Sequence, residues 1–466
     1  MSVSSFGLAY DLPAYAWQTL GVLEAAGFEA WVVGGWVRDA LRGAPSHDVD
    51  MATDARWQEV KRALEAAGIP VHETGTAHGT VTAVVDGRPI EITTFRTEGT
   101  YTDHRHPDQV NFVRDAREDL ARRDFTVNAM AYHPDRGLLD PFGGREDLAR
   151  GLIRAVGDPN RRFEEDALRV LRAVRFACRL GFEIEPGTQR ALVTWTPGLR
   201  DIAQERIGQE VSGILGTGRM SWALLCQKPV MCQAIGELAA CDGFDQRSPY
   251  HAYDVLEHTA RVCRGVEEFT GGMASPELRW AALLHDVAKP HTFTLGEDGH
   301  GHFYGHPKLG SQMAGTILHR LAVPRELAAR VVALVRLHDR PTSARRRSVY
   351  HELLDLEAAC PGHARQLAHQ LTDLKRADAV SKTPEAAAYA VELDRLEAIQ
   401  RRLLAGGVCL TTSDLAVDGR DVMGRAGLAP GPQVGAVLAG LLREVSDGRV
   451  ANDREALLAR LGQMVG

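Results

Sequence analysis

The chain has 466 residues, a formal net charge of −7, 44% apolar residues and 25% charged residues. That length exceeds what one hydrophobic core supports, so about two to four domains are expected. The composition is that of an ordinary globular protein, and the acidic balance excludes bulk electrostatic attraction to nucleic acid, leaving only local basic patches for that purpose. No run of about 18 apolar residues occurs, and the first residues lack the basic-then-apolar pattern of a secretion signal. A cytoplasmic protein with no membrane partner is expected. Cys178, Cys226, Cys232, Cys241, Cys263, Cys360 and Cys409 form no CxxC pair. They read as reduced, mostly buried thiols rather than a disulfide or zinc framework.

In chain order, residues 14–27 predict an amphipathic helix. Phe28 to Val33 predict a strand that runs into the Gly34-Gly35 turn. Val37 to Leu41 predict a short helix whose N-terminus can meet phosphate. Asp48-Val49-Asp50 follows. On a strand, side chains at i and i+2 share a face, so Asp48 and Asp50 can hold a divalent metal beside a polyphosphate. Mg²⁺ suits that donor set, taking one or two carboxylates with phosphate oxygens and water.

Residues 55–67 predict a second helix. Thr80 to Val85 and Ile90 to Phe95 predict strands around the turn Asp86-Gly87-Arg88-Pro89. A strand near Val110 to Val113 and a helix near Arg123 to Met130 complete a mixed α/β region over the first 150 residues. After Gly157-Asp158-Pro159 the strand signals fade and helical periodicity runs to the end. It breaks near residues 216–218, 242–250, 296–305, 341–348 and 406–412.

Three further groups carry chemistry. Arg122-Arg123-Asp124, leading to Asn128, would place two forked cations and a carboxylate at the start of the predicted helix. There the arginines can grip phosphate and the aspartate can accept from a sugar hydroxyl; surface ion pairs are the plainer reading. In Glu165-Asp166-Ala167-Leu168-Arg169 a continuous helix would put Asp166 and Arg169 on one face. An acceptor beside a donor matches the pairing edges of cytosine and adenine, and mismatches uracil and guanine. An i, i+3 salt bridge is the alternative. Arg172, Arg175 and Arg179 continue that stripe, with Val170, Val174 and Ala177 opposite; the stripe is either a phosphate-facing RNA contact or a solvated face. In the helical half, His258, the pair His285-Asp286 in a predicted helical run Trp280 to Val287, His306, His338 and Asp378 can converge on a metal. Mixed imidazole and carboxylate donors admit Mn, Ni, Co, Fe or Zn, and such a metal can activate water against a phosphoester.

These groups together resemble the bacterial class II tRNA nucleotidyltransferases and poly(A) polymerases of the polymerase-β superfamily. The resemblance covers residues 30–215: GGWVRDALRG with DVDMAT, TFRTEGTYTDHRHPDQVNF, RRDFTVNAMA, DPFGG, EEDALRVLRAVRFA, and Glu205-Arg206-Ile207 with Glu210. It implies that Asp48 and Asp50 are catalytic Mg²⁺ ligands. It implies that Gly34, Gly35, Arg38, Arg122, Arg123, Asp124 and Asn128 bind the nucleotide, and that Asp166 and Arg169 template CTP or ATP. Glu91, on the Ile90 to Thr94 strand, is a candidate third acid. The fold implied is an α+β nucleotidyltransferase head over residues 1–150, then an all-α neck (151–215), a body (216–384) and a tail (385–466). The neck would bind bases and RNA, and the tail RNA.

The body resembles the HD phosphohydrolase domain, with His258, His285, Asp286 and Asp378 as ligands and His306 and His338 available for a second metal. The activity implied is template-independent addition of CCA to tRNA 3′ ends, with a further phosphatase or phosphodiesterase activity in the body. Alternatives are addition of the terminal A alone, poly(A) synthesis, or a protein that is chiefly an HD phosphohydrolase. The segment between Glu91 and Arg122 is not shortened, which argues against addition of CC alone.

Overall fold

The structure is a computed structural model that describes residues 11–46, 48–98, 110–384 and 388–465. The segment 94–112 quoted above therefore lies partly outside the described residues. The chain divides into two compact units, residues 1–214 and 215–466.

The first unit is built on a mixed sheet. Its strands are β1 (Ala30–Val33), β2 (Asp50–Thr53), β3 (Val71–Gly75), β4 (Thr80–Val85), β5 (Arg88–Thr94), β8 (Ala131–His133) and β9 (Gly137–Leu139), in the order β3-β4-β5-β2-β1-β8-β9. β6 (Arg96–Glu98) and β7 (Val110–Phe112) form a separate ribbon. Every residue of β1 is buried, because both sheet faces are covered and a central strand must then be apolar on each side. Ala30 and Val32 join the core under helices α1 (Ala14–Ala25), α2 (Gly35–Leu41) and α3 (Trp57–Ala66), with Leu23, Val37 and Leu64. Trp31 and Val33 face the opposite way, toward Leu120 of α4 (Ala116–Ala121). β1 and β2 run antiparallel with Val33 opposite Asp50, and β2 and β5 run parallel with Asp50 opposite Glu91. This register sets the acidic pair beside the Gly34 turn that follows β1.

Two local expectations in this unit are corrected. The β4–β5 turn is only Asp86-Gly87, with φ of 50° and 73°; two consecutive positive φ values make the tight turn that suits a twisted hairpin. Arg88 and Pro89 belong to β5, and Pro89 lies opposite Val84 before the pairing with β2 begins, so its missing N–H breaks no bond to β2. Residues 123–130 are not a helix. The helix is α4, capped by the Asp115 carboxylate on the Arg117 N–H at 2.8 Å, and it ends before Arg122. Phe125 is extended and forms an isolated bridge with Ala155, leaving only a single 3-10 turn at Thr126–Asn128.

α5 (Gly144–Arg150), α6 (Pro159–Glu165), α7 (Leu168–Leu180), α8 (Pro186–Trp195) and α9 (Gln204–Gly216) follow. Among its described residues the second unit is helical apart from a short hairpin. It comprises α10 (Met220–Cys226), α11 (Lys228–Ala234), α12 (Val255–Phe269), α13 (Pro276–Leu284), α14 (Lys289–Thr292), α15 (His306–Arg320), α16 (Arg325–Leu337), α17 (Arg346–Ala359) and α18 (Ala364–Val380). Helices Tyr389–Ala405, Gly419–Ala426, Pro432–Ser446 and Arg454–Val465 close the chain. The predicted helix through Val287 stops at Leu284, where the Val287 N–H turns back to the Leu284 carbonyl. Among the described residues no helix is long and apolar enough to cross a membrane.

Candidate functional site

Two sites emerge, one in each unit. In the first, a cavity of about 650 Å³ is lined by Gly34, Gly35, Asp48, Asp50 and the side chains of the arginine groups. Asp48 precedes β2 and Asp50 opens it; both are exposed while Val49 between them is buried. Partial desolvation by the surrounding cavity wall, which leaves its surface still open to solvent, and the like charges of Glu91 and Asp48 raise the Asp50 carboxyl above its ordinary range, against the pull of Arg123. A hard divalent cation would relieve that repulsion, and the two carboxylates fit one. Glu91 neighbours Asp50 by register but does not line the cavity.

The glycine turn has a steric cause. Gly34 has φ 72°, and a Cβ there would stand 3.0 Å from Arg123 Nη1. A side chain at Gly34 would thus be strained and would crowd the arginine. Asp119, 1% exposed, accepts from Arg122 at 2.9 Å and from Arg123 at 3.4 Å, so one buried carboxylate anchors both guanidinium groups.

Arg38 is buried and committed. Its Nε and Nη2 donate to the Asp39 carboxylate at 2.9 and 2.8 Å, and its Nη1 donates to Asn128 Oδ1 at 2.7 Å. Asn128 Nδ2 in turn donates to Asp124 Oδ1 at 3.3 Å. Burial works to raise the Asp124 carboxyl, but Arg172, donating at 2.7 and 2.9 Å, outweighs it and holds the group below the usual range.

The Asp166–Arg169 pair departs from expectation. α6 ends at Glu165, and Asp166 is extended at φ −147°, ψ 103°. Its Oδ1 accepts the Leu168 N–H at 3.0 Å and so caps the next helix. The two residues therefore do not share a helical face; the Arg169 N–H donates to the Asp166 carbonyl at 3.0 Å, while their side chains engage other groups. Asp166 Oδ2 accepts from Arg206 Nη2 at 2.9 Å, while Arg169 Nη1 donates to Glu165 Oε2 at 2.7 Å. Both still line the cavity. The arginine stripe on α7 is neither a fully solvated face nor a row of free cations. Arg172 holds Asp124, and Arg175 donates to Glu210 Oε2 at 2.6 Å. Arg179 is about half exposed and lies 4.0 Å from Asp39. Asp39, Asp119, Glu165 and Arg206 had no assigned role in the sequence. Asp39, Glu165 and Arg206 stand inside quoted motifs, whereas Asp119 lies in none of them.

The second site is a buried cluster. His258 on α12, His285 and Asp286 after α13, and Asp378 on α18 place ligand atoms within 4.8 Å of one another. Asp286, His306 and His338 form a second such group sharing Asp286. His258 Nε2 lies 3.0 Å from Asp378 Oδ1 and 3.4 Å from His285 Nε2, and His306 Nε2 lies 3.3 Å from His338 Nε2. Three of the imidazoles turn Nδ1 to a backbone carbonyl: His285 to Ala282, His306 to Phe303 and His338 to Val335, at 2.7 to 3.0 Å. A carbonyl can only accept, so these Nδ1 atoms carry the protons when the rings are neutral, and the Nε2 lone pairs face one another. That is the tautomer a metal requires. Lys289 Nζ, 2.7 Å from Asp286 Oδ2, and Lys382 Nζ, 2.6 Å from Asp378 Oδ2, flank the cluster. A third group, Glu24, His133 and Asp135, fits a metal poorly. His133 Nδ1 accepts the Asp135 N–H, so its proton sits on Nε2, toward Glu24.

A nucleotide-sized cavity with an acidic pair at the start of the central strand β2, and a buried His/Asp cluster in the same chain, define a two-part enzyme class. The Poly A polymerase head domain model matches residues 30–154, and the HD domain model matches residues 250–383. The CCA-adding enzyme of Levilactobacillus brevis is 36% identical over 94% of this chain and 95% of its own length. That of Leuconostoc mesenteroides is 52% identical over 43% of this chain, an alignment spanning 49% of that protein. The crystal structure of the Bacillus stearothermophilus CCA-adding enzyme in complex with CTP superposes with a TM-score of 0.71 at 30% identity, covering 97% of this chain and 96% of that one. The chain belongs to the CCA-adding enzyme family.

Proposed function

We propose that this chain is a Mg²⁺-dependent nucleotidyltransferase that adds C, C and A to tRNA 3′ ends from CTP and ATP, in the cytoplasm. The observation that carries the reading is the shared cavity: Asp48 and Asp50 stand in it together with the anchored arginines and with Asp166 and Arg169. The division into head (1–150), neck (151–215), body (216–384) and tail (385–466) is part of this reading; of the arginine stripe, the half-exposed Arg179 is the member placed to meet RNA, since Asp124 and Glu210 hold Arg172 and Arg175.

The reaction is an in-line attack of the tRNA 3′-hydroxyl on the α-phosphate, with pyrophosphate leaving. Asp48 and Asp50 would hold Mg²⁺, which supplies Lewis-acid activation of the hydroxyl and neutralises triphosphate charge. Arg122 and Arg123, fixed by Asp119, bind the triphosphate. Arg38 locks Asn128, Asn128 and Arg172 orient Asp124, and Asp124 accepts from the ribose. Asp166 accepts the exocyclic amino hydrogen of cytosine or adenine, and Arg169 donates to the adjacent ring nitrogen.

A second activity is proposed for the HD cluster, because its Nε2 atoms and carboxylates converge as ligands. His258, His285, Asp286 and Asp378, with His306 and His338, would hold one or two of Mn, Ni, Co, Fe or Zn, which would supply a water activated for phosphoester hydrolysis.

The test is incorporation of labelled CTP and ATP, singly and together, into tRNAs lacking CCA, CA or A. Two C and then one A is expected. Extension of the CC-ended tRNA alone would replace this reading with A-only addition, and processive A addition would replace it with poly(A) synthesis.

A further inference from the structure

The way Asp166 is held supports a further assignment, which rests on the transferase reading above. Asp166 stands in extended backbone between α6 and α7, where no helical neighbour fixes its rotamer. Two contacts do so instead. The Leu168 N–H binds Oδ1 at 3.0 Å and ties the carboxylate to its own turn. Arg206 Nη2 binds Oδ2 at 2.9 Å, reaching in from a position 40 residues away on α9. Together they fix the plane of the carboxylate, and both residues line the cavity.

Arg206 does this at a cost. Its Nη1 is buried without a hydrogen-bond partner, and a guanidinium placed for stability alone would satisfy that donor. Arg169, the other base-reading candidate, is oriented separately by Glu165 and by the Arg162 carbonyl, at 2.7 and 3.0 Å. The carboxylate and the guanidinium of the base-reading pair thus have different side-chain anchors, Arg206 for the one and Glu165 for the other.

We propose that Arg206 is a positioning residue for nucleotide selection: it holds the Asp166 carboxylate in the orientation that accepts from the amino group of cytosine or adenine, without itself touching the base. Uracil and guanine bring a carbonyl oxygen to that place, and a fixed carboxylate repels it. A carboxylate freed from Arg206 turns aside, so the repulsion weakens and so does binding of the correct base. Arg206 therefore acts on discrimination and on KM more than on the chemical step.

The experiment uses the full-length chain with Arg206→Gln and Arg206→Lys. It measures kcat and KM for CTP against UTP on tRNA lacking CCA, and for ATP against GTP on CC-ended tRNA. For Arg206→Gln, the ratio of kcat/KM for correct over incorrect nucleotide is expected to fall about 10-fold or more, mainly through KM for CTP and ATP. Arg206→Lys, which keeps one charged donor, recovers part of the ratio; it also supplies the test on its own if Arg206→Gln does not fold, through a smaller fall. Ratios equal to wild type, or an equal loss of kcat for all four nucleotides, would overturn the assignment and leave Arg206 a packing residue. A wild-type chain that adds neither C nor A would overturn the transferase reading itself, and this assignment with it.

Discussion

The head cavity and the HD cluster solve the problem of buried charge in opposite ways. In the cluster, imidazole and carboxylate ligands already converge: Asp286 is 1% exposed and His285 fully buried, with carbonyls setting the tautomers. In the cavity Asp48 and Asp50 stay exposed, Asp50 sits against like charges, and the arginines are parcelled out among Asp39, Asp119, Asp124, Glu165 and Glu210. On the proposed reading, the cluster would bind an ion with little rearrangement, whereas a nucleotide with its own anions and metal would complete the cavity. A site that accepts two different bases in turn needs its charges individually anchored; a metal centre needs them collected.

The sharpest break in the comparison is Asp48→Ala. Removing a metal-holding acid from the cavity should lower CTP incorporation at least about 10³-fold. As an exposed residue, Asp48 should change unfolding free energy by only about 0.5 kcal/mol; incorporation near wild type would refute its role. His285→Ala tests the other side. Metal bound per chain, measured by elemental analysis after loading and desalting, should fall, while CCA addition is retained because the two sites share no residue. Loss of CCA addition with the fold intact would break the separation drawn here.

Burial without a site can be gauged nearby. Lys375 and Glu352, 3% and 0% exposed, form an ion pair that Thr342 Oγ1 joins at 2.5 Å. Glu352→Ala leaves a buried ammonium unpaired and should destabilise the second unit by about 3–5 kcal/mol in denaturant unfolding. The smallest effect concerns Asp50. Its raised pKa means that it takes up a proton, and apparent Mg²⁺ affinity falls, at a higher pH than for an ordinary aspartate. Glu91→Gln removes one like charge and should move that fall to lower pH in a Mg²⁺ titration; an unmoved profile would show that Glu91 does not reach Asp50.

Much of both sites could be read from local pattern. The apolar run of β1, the glycine turn, the Asp48-Val49-Asp50 spacing and the order of the histidines need only strand periodicity, the freedom of glycine at φ 72° and donor chemistry. Local pattern failed where a polar side chain competes with the helix. Asp115 starts α4 seven residues before the predicted helix, and Asp166 caps α7 instead of continuing α6. Apolar periodicity carries a helix reading straight through such positions, yet a short aspartate carboxylate satisfies free N–H groups by starting a new helix.

The sequence by itself determined the composition class, the central strand, the residues able to hold metal or phosphate, and the family those motifs resemble. Only the tertiary structure decided which charges neutralise which. Arg172 finds Asp124 across 48 residues, Arg175 finds Glu210 across 35, and Arg206 finds Asp166 across 40. Partners that distant leave no periodic trace in the chain, because an ion pair depends on where the backbone brings two side chains in space and not on the residues between them.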